Sequence, residues 1–231
     1  MTPRDRLIVA LDLPDAARAR AMVDRLAGKA GMFKVGNQLF TAAGPELVRE
    51  IVGRGEKVFL DLKYHDIPNT VAGAVSSAGQ LGVSLVDVHA LGGAEMLQAA
   101  VGALPAMGIR LLAVTILTSH GEAGLAATGI SGSMADAVRR LAVLAREAGA
   151  DGVVASPHEV ALVREACGPD FLIVTPGIRP SGSARGDQAR SATPAAALAA
   201  GADYVVVGRP ILEADDPGAA AAAIVREMAA A

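Results

Sequence analysis

The feature that most limits the fold of this chain is a regular alternation of short β-branched runs with longer stretches rich in alanine and leucine. Eight short runs are predicted to be strands, at residues 7–11, 32–35, 57–62, 85–89, 110–116, 152–155, 172–175 and 204–207. Helices are predicted at residues 15–27, 44–52, 68–81, 94–104, 134–148, 157–167, 194–200 and 217–228. Strands that alternate with helices in this way run parallel, because each crossover helix returns the chain to the same end of the sheet.

Eight strand-helix units fit the closed (β/α)8 barrel, which leaves no strand edge unpaired. An open, doubly wound sheet is the alternative, but it usually has fewer strands. The chain has 231 residues and contains no Pro/Ser-rich linker, so we expect a single domain over residues 1–231. Because tryptophan is absent and 52% of the residues are hydrophobic, the core must be built from Ala, Val, Leu and Ile.

Charge and cysteine content exclude several classes of protein. The net charge of −3 indicates no nucleic-acid partner. The single cysteine, Cys167, rules out an internal disulfide and suits a reducing compartment. The N-terminal residues are charged and precede only a short apolar run, so neither a signal peptide nor a membrane span is predicted. We therefore expect a cytoplasmic protein without a membrane partner.

Polar side chains gather near the C-terminal ends of the predicted strands. They are Asp12, Lys34, Asp61, Lys63, Asp87, His89, Thr115 and Thr118. In a parallel barrel these ends meet at one face, which is the face where barrel enzymes carry their active sites. The sequence therefore predicts one polar pocket at the mouth of the barrel.

The motif with the clearest chemistry is Asp61-x-Lys63-x-x-Asp66. Asp61 and Lys63 are two positions apart on a strand and so share a face, and Asp66 follows one short turn later. Three charges aimed at one spot are costly to bury unless they are paired or used. Such a set can hold a lysine ammonium in place and let it donate its proton, so it can act as a general acid. Taken alone, the motif also fits a solvated strand end with a surface ion pair.

Glycine and arginine follow the last two strands and predict a phosphate site. Loops after strands seven and eight are the usual phosphate-binding place in a barrel. Glycine lets backbone N–H groups approach the phosphate oxygens, and arginine adds bidentate charge. The residues concerned are Gly177, Arg179, Gly208 and Arg209, with Gln188 in a position to close over the same group.

Two long connections, at residues 119–133 and 176–192, follow strands five and seven. Long glycine-rich loops on this face suggest lids that close on a ligand, and mobile surface loops are the alternative. The four histidines lack the spacing of a metal site, and no Gly-x-Gly-x-x-Gly follows the first strand. We expect neither a metal nor a dinucleotide cofactor. His65 is the histidine expected nearest to the pocket.

These blocks resemble the orotidine 5′-phosphate decarboxylase family, in order and over essentially the whole chain. The matching blocks are Ala-Leu-Asp at 10–12, Phe-Lys-Val-Gly at 33–36, Asp-Leu-Lys-Tyr-His-Asp-Ile-Pro-Asn-Thr at 61–70, Val-Thr-Ile-Leu-Thr-Ser at 114–119, Thr-Pro-Gly-Ile-Arg-Pro at 175–180, Gly-Asp-Gln at 186–188 and Val-Gly-Arg-Pro at 207–210. One departure is Gln38, expected on the second helix, where the family often has an acidic residue.

The resemblance implies cofactor-free conversion of orotidine 5′-phosphate to uridine 5′-phosphate and CO2 by a homodimer. By this resemblance, Lys63 donates the proton to C6 of the pyrimidine as CO2 leaves. Asp61 lies against the scissile carboxylate and holds Lys63. Asp66 and Thr70 reach across the dimer interface into the neighbouring subunit's site.

The resemblance also implies how the rest of the nucleotide is bound. Asp12 and Lys34 would bind ribose hydroxyls, and Thr118 would help to hold the pyrimidine. The phosphate would be held by Arg179, Gln188, Gly208 and Arg209.

Two rival functions share this barrel type. The first is a Mg2+-dependent sugar-phosphate decarboxylase or synthase. By resemblance to such enzymes, we would expect an acidic residue on strand two. Here that strand carries Lys34, which would repel the metal, and the Ile67–Thr70 continuation favours the nucleotide enzyme. The second is a non-catalytic nucleotide-binding barrel. Such a protein should have lost Lys63 or one of the aspartates, and all are present.

Overall fold

The computed structural model describes residues 1–105, 108–180 and 191–230. Eight parallel strands form a closed barrel in chain order, with β8 pairing to β1, which confirms the predicted (β/α)8 fold. Gln188 and the middle of the predicted lid at residues 176–192 lie outside the described residues. The strands are β1 (Leu7–Ala10), β2 (Met32–Gly36), β3 (Val58–Tyr64), β4 (Leu85–His89), β5 (Arg110–Val114), β6 (Gly152–Val154), β7 (Leu172–Thr175) and β8 (Tyr204–Val207).

The helices form the outer layer of the barrel. They are α1 (Ala16–Leu26), α2 (Asn37–Gly53), α3 (Pro68–Gly79), α4 (Gly93–Gly102), α5 (Glu122–Ala127), α6 (Met134–Glu147), α7 (Val160–Cys167), α8 (Pro194–Ala199), α9 (Arg209–Leu212) and α10 (Pro217–Ala229). Several begin where a side chain accepts a hydrogen bond from a first-turn N–H, as at Asp15, Ser133 and Asp216. Among the described helices, none has the length and apolar character needed to cross a lipid bilayer.

Three helical segments differ from the prediction. Helix α2 begins at Asn37 rather than at residue 44, because Gly44, with φ of 68°, is a kink inside the helix and not its start. Helix α5 lies within the connection at residues 119–133, which the sequence predicts as a loop, and α9 follows β8 directly. Both are short, at six and four residues, so hydrophobic periodicity had little length in which to reveal them. Gln38 lies on α2, as expected.

Alternate residues of each strand face the inside of the barrel, and the identity of these residues changes with height. The lower positions are apolar and form a closely packed core of Ile8, Ala10, Met32, Phe59, Leu85, Leu112, Leu172, Val174 and Val206. Two residues further along four of the strands, the same face carries Asp12, Lys34, Asp61 and Asp87. The apolar layers thus fill the bottom and middle of the barrel and place the charged layer at its C-terminal mouth.

The close approach of β6 to β7 generates a prediction about stability. A Cβ added at Gly152 would lie 2.3 Å from the backbone oxygen of Leu172, so Gly152→Ala must displace a strand. We expect a loss of about 1–3 kcal/mol in the free energy of unfolding, measured by urea denaturation. Gly102→Ala is the matched control, since its new Cβ meets no atom within 4 Å. Equal stabilities for the two variants would contradict this packing argument.

Candidate active site

A pocket of about 230 Å3 opens at the C-terminal ends of the strands. Its lining includes nine of the residues predicted from the sequence: Asp12, Lys34, Asp61, Lys63, Thr118, Gly177, Arg179, Gly208 and Arg209. Ile116, Leu117 and Pro176 add an apolar wall. Ser156, which is buried and directly precedes a short helical turn, also lines the pocket and was missed from the sequence. Its position after the sixth strand was the available signal.

The charged side chains form a row of alternating sign along one wall of the pocket. Lys34 Nζ lies 3.1 Å from Asp12 Oδ1 and 2.9 Å from Asp61 Oδ2. The other oxygen of Asp61 accepts a hydrogen bond from Lys63 Nζ. Each inner charge therefore has an opposite charge on both sides, which is the arrangement that makes burial tolerable. Gly36 leaves room for this row, since a Cβ there would lie 3.0 Å from Lys34 Nζ.

These contacts keep the buried members of the row ionised. Burial by itself would raise the pKa of Asp61, but the charge of Lys34, the neighbouring side chain of Asp87 and the charge of Lys63 lower it to about 2. Burial by itself would lower the pKa of Lys34, and the charges of Asp61 and Asp12 reverse this and raise it. At neutral pH the pocket therefore holds a carboxylate between two lysine side chains, in place before any ligand binds.

Asp87 is a residue of this site to which the sequence assigned no role. It lies on β4 with a fully buried side chain, and its Oδ1 accepts a hydrogen bond from the backbone N–H of Lys63 at 2.8 Å. Lys63 has φ of 51° and is the single non-glycine residue with positive φ in the described part of the chain. The signal in the sequence was the position of Asp87, two residues after Leu85 on the inward face of a strand.

Within one chain, Asp66 does not lie in the pocket beside Asp61 and Lys63, so this chain alone does not bring the three charges of the motif to one spot. Strand β3 ends at Tyr64, after which the chain leaves the mouth of the barrel. Asp66 is exposed, and its Oδ1 accepts a hydrogen bond from the N–H of Ile67 at 2.6 Å. Thr70, on the first turn of α3, is also exposed. Neither residue lines the pocket.

The histidines near the pocket contact one another. His65 packs against His89, with ring centroids 5.5 Å apart. Burial, followed by the neighbouring His65, Lys63 and His120, lowers the pKa of His89 to about 4, so this side chain is neutral at pH 7. Across residues 1–105, 108–180 and 191–230, no group of three or more His, Cys, Asp or Glu side chains is arranged to hold a metal ion.

Comparison with known proteins agrees with this geometry. Residues 5–224 match the model of the orotidine 5′-phosphate decarboxylase / HUMPS family. The chain belongs to this family.

Its relatives are similar over almost their entire length. The chain is 56% identical to the orotidine 5′-phosphate decarboxylase of Moorella thermoacetica, over 99% of this chain and 94% of the relative. It is 58% identical to the enzyme of that name from Halorhodospira halophila, over 98% and 97%. The crystal structure of orotidine 5′-phosphate decarboxylase from Lactobacillus acidophilus superposes with a TM-score of 0.85 at 41% identity, over 96% of this chain and 98% of that one.

The buried position of Lys34 beside Asp61 generates a second prediction. In Lys34→Met, Asp61 loses its cation at 2.9 Å while remaining buried, so the free energy of unfolding should fall by about 3 kcal/mol in urea denaturation at pH 7. Lys57→Met is the control, because Lys57 is exposed and precedes β3. A loss no larger than that of the control would show that Asp61 does not depend on Lys34.

Proposed function

We propose that this protein catalyses the cofactor-independent decarboxylation of orotidine 5′-phosphate to uridine 5′-phosphate and CO2, a reaction of pyrimidine biosynthesis. The observation that carries the proposal is the ammonium group of Lys63, held by the ionised Asp61 inside a pocket that also contains Arg179 and Arg209. One part of the pocket thus offers a proton donor, and another offers positive charge for a phosphate. The names of the similar proteins support the same reaction.

The proton donor in this mechanism is Lys63. As the bond between C6 and the carboxylate breaks, its electron pair remains on C6 and CO2 leaves. The ammonium stabilises this developing negative charge and then transfers a proton from Nζ to C6. Solvent restores the proton to the lysine before the next turnover. Asp61 holds the ammonium and occupies the position against the scissile carboxylate.

The remaining pocket residues bind the rest of the nucleotide. Thr118, beside the apolar wall, would hold the pyrimidine, and Asp12 with Lys34 would bind the ribose hydroxyls. Gly208, Arg179 and Arg209 would hold the phosphate, with Gln188 assigned to the same group on sequence grounds alone. Binding energy from the distant phosphate can then be used to lower the barrier at C6.

We also propose that the active form is a homodimer in which Asp66 and Thr70 complete the partner's site. Both residues are exposed and lie outside the pocket of their own chain. Next to Asp66, Ile67 is 66% exposed and is, after Met1, the most exposed large hydrophobic residue in the described part of the chain, so its side chain is available for a contact surface. We further propose that residues 1–231 are one domain, since the family match spans 5–224, and that the enzyme is cytoplasmic.

The Mg2+-dependent sugar-phosphate reaction is the less favoured function. Its metal would need carboxylates that are free to coordinate, and here Lys34 Nζ contacts both Asp12 and Asp61. The relatives at 56–58% identity have the name orotidine 5′-phosphate decarboxylase, which supports the nucleotide reaction.

The test of the proposed function is the loss of orotidine 5′-phosphate absorbance with purified protein, in EDTA and without added metal. Rapid loss with formation of uridine 5′-phosphate supports the decarboxylase and excludes a Mg2+ requirement. A folded protein that binds uridine 5′-phosphate without turnover would instead be a non-catalytic barrel. Neither turnover nor binding would direct the search to sugar phosphates with Mg2+.

Replacement of Lys63 separates chemistry from binding. Lys63→Ala removes the proton donor but leaves the phosphate contacts intact, so we expect kcat to fall by at least ~1000-fold, with uridine 5′-phosphate affinity within about tenfold of wild type. Single-turnover kinetics and calorimetry measure the two quantities, and Lys57→Ala is the control. A variant that retained a substantial rate would remove Lys63 from this role.

Mixing of two inactive variants tests the shared site. In a heterodimer of Lys63→Ala and Asp66→Ala subunits, one of the two sites has a wild-type Lys63 and receives a wild-type Asp66. We therefore expect each verified heterodimer to regain up to about half of the wild-type activity, whereas both parent homodimers stay inactive. No recovery in heterodimers purified with two affinity tags would indicate that each site is complete within one chain.

A further inference from the structure

Asp87 has a combination of properties that packing alone does not explain. Its side chain is completely buried at the base of the charged row. One oxygen, Oδ1, accepts the N–H of Lys63 at 2.8 Å. The other, Oδ2, is buried and accepts no hydrogen bond from a donor among the described residues. A carboxyl oxygen in such a place is costly unless it carries a proton that it can donate.

The local backbone explains what Oδ1 does. In the ladder between β3 and β4, Leu60 pairs with Val86 and the next pair is Tyr64 with Val88, so the longer stretch of β3 bulges. Asp87 is the residue opposite this bulge, and Lys63 within it has φ of 51°. A lysine holds this left-handed conformation only where its surroundings impose it. The side chain of Asp87 replaces the missing ladder partner of the Lys63 N–H.

The charges around Asp87 explain what Oδ2 does. On β3, the charged neighbours of the Asp87 side chain are the carboxylate of Asp61 and the ammonium of Lys63. On β4 itself, the next inward residue is His89, which is neutral at pH 7. From β5 the neighbour of Asp87 in register is the apolar Leu112. Burial, followed by the negative charge of Asp61, raises the pKa of Asp87 well above its usual range. A protonated Oδ2 can donate to Asp61.

We propose that Asp87 is a positioning residue that acts as a neutral carboxylic acid, holding the bulged backbone of Lys63 through Oδ1 and donating a hydrogen bond from Oδ2 to Asp61. It thereby fixes both members of the Lys63–Asp61 pair relative to each other. The link to turnover rests on the proposed function, but the protonation state does not. Asp87 is not among the residues that line the pocket, so its effect passes through Lys63 and Asp61.

The test compares two replacements of Asp87 by kcat and by uridine 5′-phosphate affinity. Asp87→Asn keeps an oxygen acceptor for the Lys63 N–H and supplies an N–H donor for Asp61, so kcat should stay within about fivefold of wild type. Asp87→Leu removes both bonds and should lower kcat by ~100-fold or more, with affinity changed by less than about fivefold.

A control separates positioning from general stability. The side chain of Asp151 accepts the backbone N–H of Leu111 at 2.8 Å, where β5 begins at the opposite end of the barrel. Asp151→Leu should therefore lower the melting temperature and leave kcat unchanged. If Asp87→Asn were as inactive as Asp87→Leu, an ionised carboxylate would be required and the proposal would be overturned. Wild-type kcat in Asp87→Leu would equally overturn it.

A second measurement does not depend on activity and remains informative if Asp87→Leu fails to fold. An unfolded aspartate loses its proton near pH 4, whereas Asp87 in the folded protein keeps it, so this residue makes wild-type stability fall as the pH rises above about 4. Asparagine has no such proton. The melting temperature of Asp87→Asn relative to wild type should therefore increase between pH 4 and pH 7. A constant difference would show that Asp87 is ionised, whether or not the protein decarboxylates its proposed substrate.

Discussion

The site depends on the contact between Lys34 and Asp61 inside the mouth of the barrel. Two opposite charges separated by 2.9 Å make it possible to bury a carboxylate in the pocket, directly above the apolar layers of the barrel. Because Asp61 is ionised and held from one side by Lys34, it can hold the ammonium of Lys63 from the other. Without that pair, Asp61 would take up a proton or draw in water, and Lys63 would lose its fixed position.

The barrel supplies the conditions for this pair. Its lower interior is filled by side chains such as Phe59 and Leu85, so the charged layer rests on a closely packed apolar base. The first three strands then bring Asp12, Lys34 and Asp61 to the same mouth. Lys34 is in register with Ala10 and Phe59, two residues before each aspartate, and its Nζ contacts both carboxylates. The bulge in β3 turns Lys63 out of the regular ladder toward Asp61, and Asp87 holds that turn.

The two functional parts of the pocket come from opposite halves of the chain. The charged row belongs to the first three strands and the segments that follow them, whereas Arg179 and Arg209 follow β7 and β8. The isolated bridge between Ile178 and Ala192 joins the two ends of the long connection after β7 and so keeps Arg179 at the mouth. Closing the barrel through the pairing of β8 with β1 brings the two halves together. In the proposed reaction, this closure lets the binding energy of the phosphate lower the barrier at C6, on the other side of the pocket.

By itself the sequence determined the eight strand-helix units, the shared face of Asp61 and Lys63, and the placement of Gly208 and Arg209 after the last strand. These are consequences of periodicity and of the rule that strand ends meet at one face, and both can be read from local spacing. Only the tertiary structure decided that Lys34 contacts Asp61 as well as Asp12, that Asp66 leaves the pocket of its own chain, and that Asp87 accepts the N–H of Lys63. Those contacts depend on strand register, on a bulge and on one positive φ angle, which arise from pairing between distant segments and leave no periodic signal in the chain.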